Sequence, residues 1–237
     1  MLAKFIEKIL EIATPKTYEV DGTSYSNKPL YEVKPKIDRP ADYTVYTLGS
    51  IVKIIRAELK SQDLPLFVNV INEKTVEVVS TYNDDLSRDR LYIAKSDVPG
   101  FAQGYRDIEK AIIELRSLFV PGEGTAYVLD LLSRIGKNDS IQISDNGVTQ
   151  TVETAQGVAL KAAEKINPRV CLRPFRTFLE VEQPESDYLL RVDAEKGVGL
   201  FEADGGVWKL EAKRNIADYF KAELKDLIDS GDVVILA

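Results

Sequence analysis

Between Val170 and Ala212 the chain reads VCLRPFRTFLEVEQPESDYLLRVDAEKGVGLFEADGGVWKLEA, and no other stretch constrains the fold as strongly. From Leu172 to Gln183 the pattern alternates. It places Phe175, Leu179 and Val181 on one face of an extended strand and Arg176, Phe178, Glu180 and Glu182 on the other. Pro184 ends that strand, because proline has no N–H to give to a ladder. Tyr188–Val192 reads as a second strand, Ala194–Gly197 as a turn and Val198–Ala203 as a third strand. Asp204-Gly205-Gly206 reads as a hairpin turn whose glycines supply positive φ, with Val207–Ala212 returning as a fourth strand. The expectation is a four-stranded C-terminal meander.

The remaining elements interleave hairpins with helices and show no regular βαβ alternation. Leu2–Ile12 is an amphipathic helix with Leu2, Phe5, Ile6, Ile9 and Leu10 at helical spacing. Asp21-Gly22 marks a hairpin. Thr47 caps a helix over Leu48–Lys60, and Leu66–Ile71 and Thr75–Thr81 form a second hairpin. Asp107–Phe119 and Tyr127–Ile135 are helices, Ser140–Ser144 and Val148–Val152 flank a third hairpin, and Ala155–Glu164 reads as partly helical. A helix over Asn215–Ser230 precedes an apolar strand, Val233–Leu236. The fold class is therefore α+β, with mostly antiparallel sheet and packed amphipathic helices. A seam near Lys137–Ser140 divides an N-terminal α+β part (1–137) from a C-terminal part of meander, helix and terminal strand (138–237), unless both form one continuous domain.

Composition narrows the chemistry. The chain contains no histidine, so Ser-His and Cys-His nucleophile pairs are excluded and the commonest metal ligand is missing. A net charge of −7 argues against a broad basic face for duplex nucleic acid. Cys171 is the one cysteine, which excludes an internal disulfide; it reads as a small buried hydrophobe in a reducing, cytoplasmic setting. No run of about 18 apolar residues is present, so no membrane association is expected, and the charged residues of the N-terminal helix distinguish it from a signal peptide.

The residues that could carry chemistry cluster in the patterned stretch. Glu180 and Glu182, two apart on one strand face, would have Cα atoms about 6.5–7 Å apart. Paired carboxylates at that spacing can perform acid/base chemistry, with Glu202 or Asp204 as further candidates, but Arg173, Arg176 and Arg191 offer simple charge pairing across strands. Trp208 reads as a core or interface anchor, and Phe178 and Lys209 complete a set of candidate binding residues with Arg173, Arg176 and Arg191. Phe175, Phe178, Tyr188 and Trp208 could stack single-stranded nucleic acid if exposed. Pro121-Gly122-Glu123-Gly124-Thr125 lacks the Gly-Lys-Ser/Thr ending of a phosphate loop. Asn83-Asp84-Asp85 with Asp89 lacks the glycine and terminal glutamate of a calcium loop. No metal site and no cofactor are expected.

Two runs, RPFRTFLEVEQPES from Arg173 to Ser186 and LFEADGGVWKLEA from Leu200 to Ala212, resemble an uncharacterised protein family of tailed phages and prophages of Gram-positive bacteria. The Asp145–Gln150 turn and the Thr47–Ile51 helix start are similar too. That family has no established catalytic residue set, so the resemblance transfers no functional residue. It implies a phage-encoded protein of the host cytoplasm. The leading expectation is a non-enzymatic homo-oligomer that acts by binding a host or phage protein, in host takeover or defence evasion. The alternatives are a virion or assembly component, a carboxylate-based enzyme and a single-strand nucleic-acid binder.

Overall fold

The computed structural model describes residues 2–20, 22–29, 41–135, 140–145, 150–156 and 159–237. The chain divides into two compact units, Met1–Arg39 and Pro40–Ala237.

The first unit holds α1 (Leu2–Ala13) and the antiparallel hairpin of β1 (Thr17–Val20) and β2 (Thr23–Ser26). Gly22 adopts φ 75° at the hairpin turn, a conformation glycine reaches without steric cost. No residue of α1 is buried.

The second unit runs β3 (Tyr43–Val45), α2 (Leu48–Glu58), β4 (Leu66–Asn72), β5 (Thr75–Val79), β6 (Arg90–Lys95), β7 (Gly104–Arg106), α3 (Ile108–Ser117) and α4 (Glu123–Ile135). It continues with β8 (Ser140–Asp145), β9 (Gln150–Gln156), β10 (Ala159–Ile166), β11 (Arg169–Leu172), β12 (Ser186–Asp193), β13 (Gly197–Glu202), α5 (Trp208–Glu223), α6 (Lys225–Asp229) and β14 (Val233–Leu236). The α+β class is as the sequence implies.

Two hydrophobic cores organise this unit. The first lies on a five-stranded sheet of order β14-β4-β5-β6-β3, in which β14 runs parallel to β4 and β3 parallel to β6. Leu66, Val68 and Val70 of β4 and Val76 and Val78 of β5 point into it, the period-two pattern of a sheet with one buried face. Leu48, Ile51, Val52 and Ile55 of α2 and Ile216, Ala217 and Phe220 of α5 cover that face. The terminal strand β14 sits at an edge of the sheet.

The second core lies on an antiparallel four-stranded sheet of order β11-β12-β13-β7, packed by α3 and α4. Gly197 opens β13 with φ +82°, and a Cβ there would stand 2.2 Å from the carbonyl oxygen of Arg106. Only glycine permits so close a seam between β13 and the end of β7. Gly124 does the same for α4, since its Cβ would stand 2.0 Å from the Cys171 carbonyl oxygen. Buried Gln150 ties a third sheet, β10-β9-β8, to β12 by accepting from Val192 N (2.9 Å) and donating to Val192 O (3.2 Å). Residues 136–139, where the sequence suggests a seam, lie outside the described residues; both cores draw on residues from each side of them.

Three elements differ from the sequence expectation. The four-stranded sheet is present, but its fourth strand is β7, not Val207–Ala212. Trp208 opens α5, because Trp208, Ala212, Ile216 and Phe220 recur every fourth residue and all are buried, so the local alternation of Val207–Ala212 yields to a longer helical period. Leu172–Gln183 is likewise no continuous strand: β11 ends at Leu172, and Pro174 and Pro184 bracket an irregular segment. The partly helical reading of Ala155–Glu164 gives way to β9 and β10, which pair antiparallel across residues 157–158, outside the described residues.

Candidate functional site

The irregular segment between β11 and β12 is a strap that fastens the two cores to each other. At its start, Val120 N donates to Arg173 O (2.8 Å) and Phe175 N to Leu118 O (2.8 Å), which binds the strap to the chain leaving α3. It then crosses to the first core. Phe178 is 1% exposed and belongs to that core, a burial that contributes about 1.5–3 kcal/mol. The Thr177 hydroxyl donates to Glu73 O in the β4–β5 turn (2.6 Å). Asn215 of α5 donates to Glu182 O (2.9 Å).

Gln183 makes this path possible. A buried segment without regular secondary structure leaves backbone groups to be satisfied by side chains. The Gln183 carbonyl oxygen accepts from Arg176 N (3.0 Å) and Thr177 N (3.2 Å), and its amide donates to Phe178 O (2.9 Å) and Val181 O (3.2 Å).

Arg176 sits at the return of the strap, 4% exposed. Its guanidinium donates to Glu202 Oε1 (2.8 Å), to Pro184 O (3.1 Å) and to Ser186 Oγ (2.5 Å), and its Cζ lies 3.7 Å from the centroid of the Trp208 ring. The Ser186 hydroxyl donates in turn to Asp204 Oδ2 (2.5 Å), and Asp204 Oδ1 accepts from Gly206 N (2.9 Å) just before α5. Glu202 also accepts from Tyr188 OH (3.3 Å) and from the Gln103 amide (3.2 Å). The cation is thus closed in by an indole face, a carboxylate, a hydroxyl and a carbonyl.

Electrostatics follow from that enclosure. Burial pulls the Arg176 guanidinium below its usual value, and Tyr188, Glu202 and Asp204 oppose the pull. Burial raises the Tyr188 phenol well above its usual range. For Asp204 burial acts upward, but hydrogen bonds from Ser186 and Gly206 N and the charge of Arg176 outweigh it and hold the carboxyl below its ordinary value.

The structure therefore brings Arg176, Glu202, Asp204 and Trp208 together and scatters the other candidates. Glu180 is a helix cap: its Oε1 accepts from Leu48 N (2.8 Å) at the start of α2, beside Thr47, which accepts from Ser50 N (3.2 Å). Glu182 projects into solvent, 3.5 Å from Arg173, so the two glutamates do not form a pair on one strand face. Arg173 is half-buried and also approaches Glu185 (3.7 Å). Arg191 lies on β12 opposite Gly199. Lys209 is exposed, 5.7 Å from the Trp208 ring centroid. Phe178, Tyr188 and Trp208 are buried and present no face for stacking a base. Sequence reasoning missed Gln183, Ser186 and Gln103 as members of the network. Gln183 and Ser186 lie inside the patterned stretch, but Gln103 is 99 residues from Glu202 and carries no local signal.

Two clefts lined by described residues of the second unit bear on these candidates. A cavity of about 620 Å³ lies at the start of α4, lined by Glu123, Thr125, Arg169, Cys171, Arg173 and Glu185 among others. Cys171 is exposed there, contrary to the sequence reading, because β11 alternates and turns this residue away from the core. Its thiol is pushed up to about 11 by partial burial and by the hydrogen bond to Glu185, so it is a poor nucleophile near neutral pH. A cleft of about 290 Å³ lies beside Tyr43, Glu58 and Tyr92, with the Tyr92 hydroxyl donating to Glu58. Neither cleft is lined by Glu180, Glu182, Glu202 or Asp204. Among the described residues, no three His, Cys, Asp or Glu side chains converge on a metal position, and no helix is long and apolar enough to cross a membrane.

No family model matches the chain, and neither a curated protein nor a solved structure matches it.

Proposed function

We propose that this chain is a non-enzymatic protein that self-associates and acts by binding. The observation that carries the reading is the exposed apolar surface of α1: Leu2, Phe5, Ile6, Ile9, Leu10 and Ile12 are each 48–74% exposed. A soluble monomer rarely keeps so contiguous an apolar face uncovered, whereas an association surface requires one. The fate of the candidate carboxylates supports the non-enzymatic half. Glu180 caps a helix terminus, Glu202 and Asp204 face Arg176, and none of the three lines either of the two clefts described above. A symmetric homo-oligomer is the ordinary form of such self-association. The resemblance to phage and prophage proteins makes the cytoplasm of an infected cell the proposed setting, and a host or phage protein the proposed target.

The test is the mass of the purified protein by light scattering, with absorbance at 260 nm recorded on the same peak. The reading expects a nucleic-acid-free species at a multiple of 26.5 kDa. A monomer at all concentrations contradicts it.

A further inference from the structure

Helix α1 reads nearly the same in both directions. Its sequence, LAKFIEKILEIA, has a two-fold pattern about the midpoint between Glu7 and Lys8. Reversal places Ile6 on Ile9, Phe5 on Leu10, Lys4 on Glu11 and Glu7 on Lys8. Apolar positions fall on apolar positions and charges fall on opposite charges. Leu2, Phe5, Ile6, Ile9 and Ala13 form one stripe at helical spacing, with the four charges on the other side.

Such a helix needs a cover. Isolated helices shorter than about 12–15 residues are marginal in water, and most helical stability in proteins comes from burying an apolar stripe. In α1, 12 residues long, no side chain is buried. Membrane-surface helices carry mostly Lys and Arg on the polar side. Here Lys4 and Lys8 are balanced by Glu7 and Glu11 in a chain of net charge −7, so an anionic bilayer offers no attraction.

Resting on the self-association proposed above, we infer that the cover is a second copy of this chain, with two α1 helices packed antiparallel about a two-fold axis at Glu7–Lys8. A two-fold interface must be self-complementary, and this stripe is so along its whole length. The antiparallel arrangement sets the Lys4 end of one helix beside the Glu11 end of the other, whereas a parallel one sets like beside like. These charges lie off the apolar seam, so they select orientation rather than supply affinity. A helix of 12 residues spans about 18 Å. A pair that short lies at the small end of specific interfaces, so the dimer is concentration-dependent, with a dissociation constant on the order of micromolar.

The experiment is sedimentation equilibrium of the full chain over a wide concentration range, for the wild type and for Ile6→Gln with Ile9→Gln. Glutamine preserves helix propensity, and both positions are exposed, so folding is retained; circular dichroism melting checks this. The double variant is expected to raise the dissociation constant by about 100-fold or more. Orientation is read in a Cys171→Ser background by oxidative cross-linking. A mixture of Leu2→Cys and Ala13→Cys chains is expected to form the mixed disulfide dimer in preference to either self-linked one. Preferential self-linking of Leu2→Cys overturns the antiparallel arrangement. A double variant that self-associates as the wild type does overturns the α1 interface while leaving self-association standing. A wild type that stays monomeric overturns both, and so does one that is monomeric but floats with phosphatidylserine-containing vesicles, which assigns the face to membrane.

Discussion

Arg176 and Trp208 face each other across the point where the strap meets α5, with the guanidinium carbon 3.7 Å from the indole centroid. Trp208 is 7% exposed and its ring is one wall of the chamber that holds the cation. The sequence offers Trp208 as a core or interface anchor and Arg176 as a cross-strand charge partner or binding residue. Enclosure turns them into a fastening between two cores.

The indole supplies both buried area and a cation–π contact. Trp208→Ala is expected to cost about 3–5 kcal/mol, which for a unit of this size lowers the melting temperature by about 10 °C. Trp208→Phe keeps an aromatic face and is expected to cost distinctly less. Thermal melting by circular dichroism measures both, and an alanine variant that melts with the wild type rules out the role assigned to Trp208.

Glu180 is a candidate carboxylate with a structural place. It accepts from Leu48 N and Thr47 from Ser50 N, so the two side chains satisfy different N–H groups of α2. Glu180→Ala and Thr47→Ala are each expected to cost about 1 kcal/mol in urea denaturation. A Glu180→Ala variant with unchanged stability contradicts the capping role.

How far the sequence discloses this arrangement depends on the range over which each signal acts. Short-range signals read correctly: Thr47 caps the helix it precedes, and the turns at Gly22 and Asn72–Lys74 form. Asp107, read as the first residue of its helix, is instead the cap of a helix that begins at Ile108. Signals decided by distant partners did not. The alternation from Leu172 to Gln183 suggests a strand, but Phe178 is drawn into one core while Pro174 and Pro184 and the hydrogen bonds of Gln183 hold the backbone in an irregular path. Leu179, expected to share a face with Phe175 and Val181, is 66% exposed. Val207–Ala212 alternates over six residues, too short a window to reveal the fourfold recurrence that continues through Phe220. Of the candidate residues, the sequence suggests charge pairing for Arg176 but not that Glu202, Asp204 and Trp208 converge on it, because the contacts span up to 32 positions and depend on a helix whose start alternates like a strand.

Asp204 gives the joint an acid limit. Its carboxyl titrates lower in the folded protein than in the unfolded chain, where aspartate titrates near 3.9. A depressed folded value stabilises the fold above the unfolded value, and that contribution disappears as pH falls through the folded one. Stability measured by urea denaturation is therefore expected to fall more steeply below about pH 4 in the wild type than in Asp204→Asn. Parallel pH profiles for the two proteins contradict the assignment.

The joint between the two cores depends most directly on the coupling between Arg176 and Glu202, 2.8 Å apart with side chains 5% and 24% exposed. A double-mutant cycle with Arg176→Met and Glu202→Gln, read by urea denaturation, measures it. Removing Arg176 alone is expected to cost about 3 kcal/mol, because the carboxylates it faces lose their cation in a buried place. The double variant is expected to cost less than the sum of the singles by at least about 1 kcal/mol. If the two changes add within about 0.5 kcal/mol and each is nearly neutral, Arg176 does not fasten the cores.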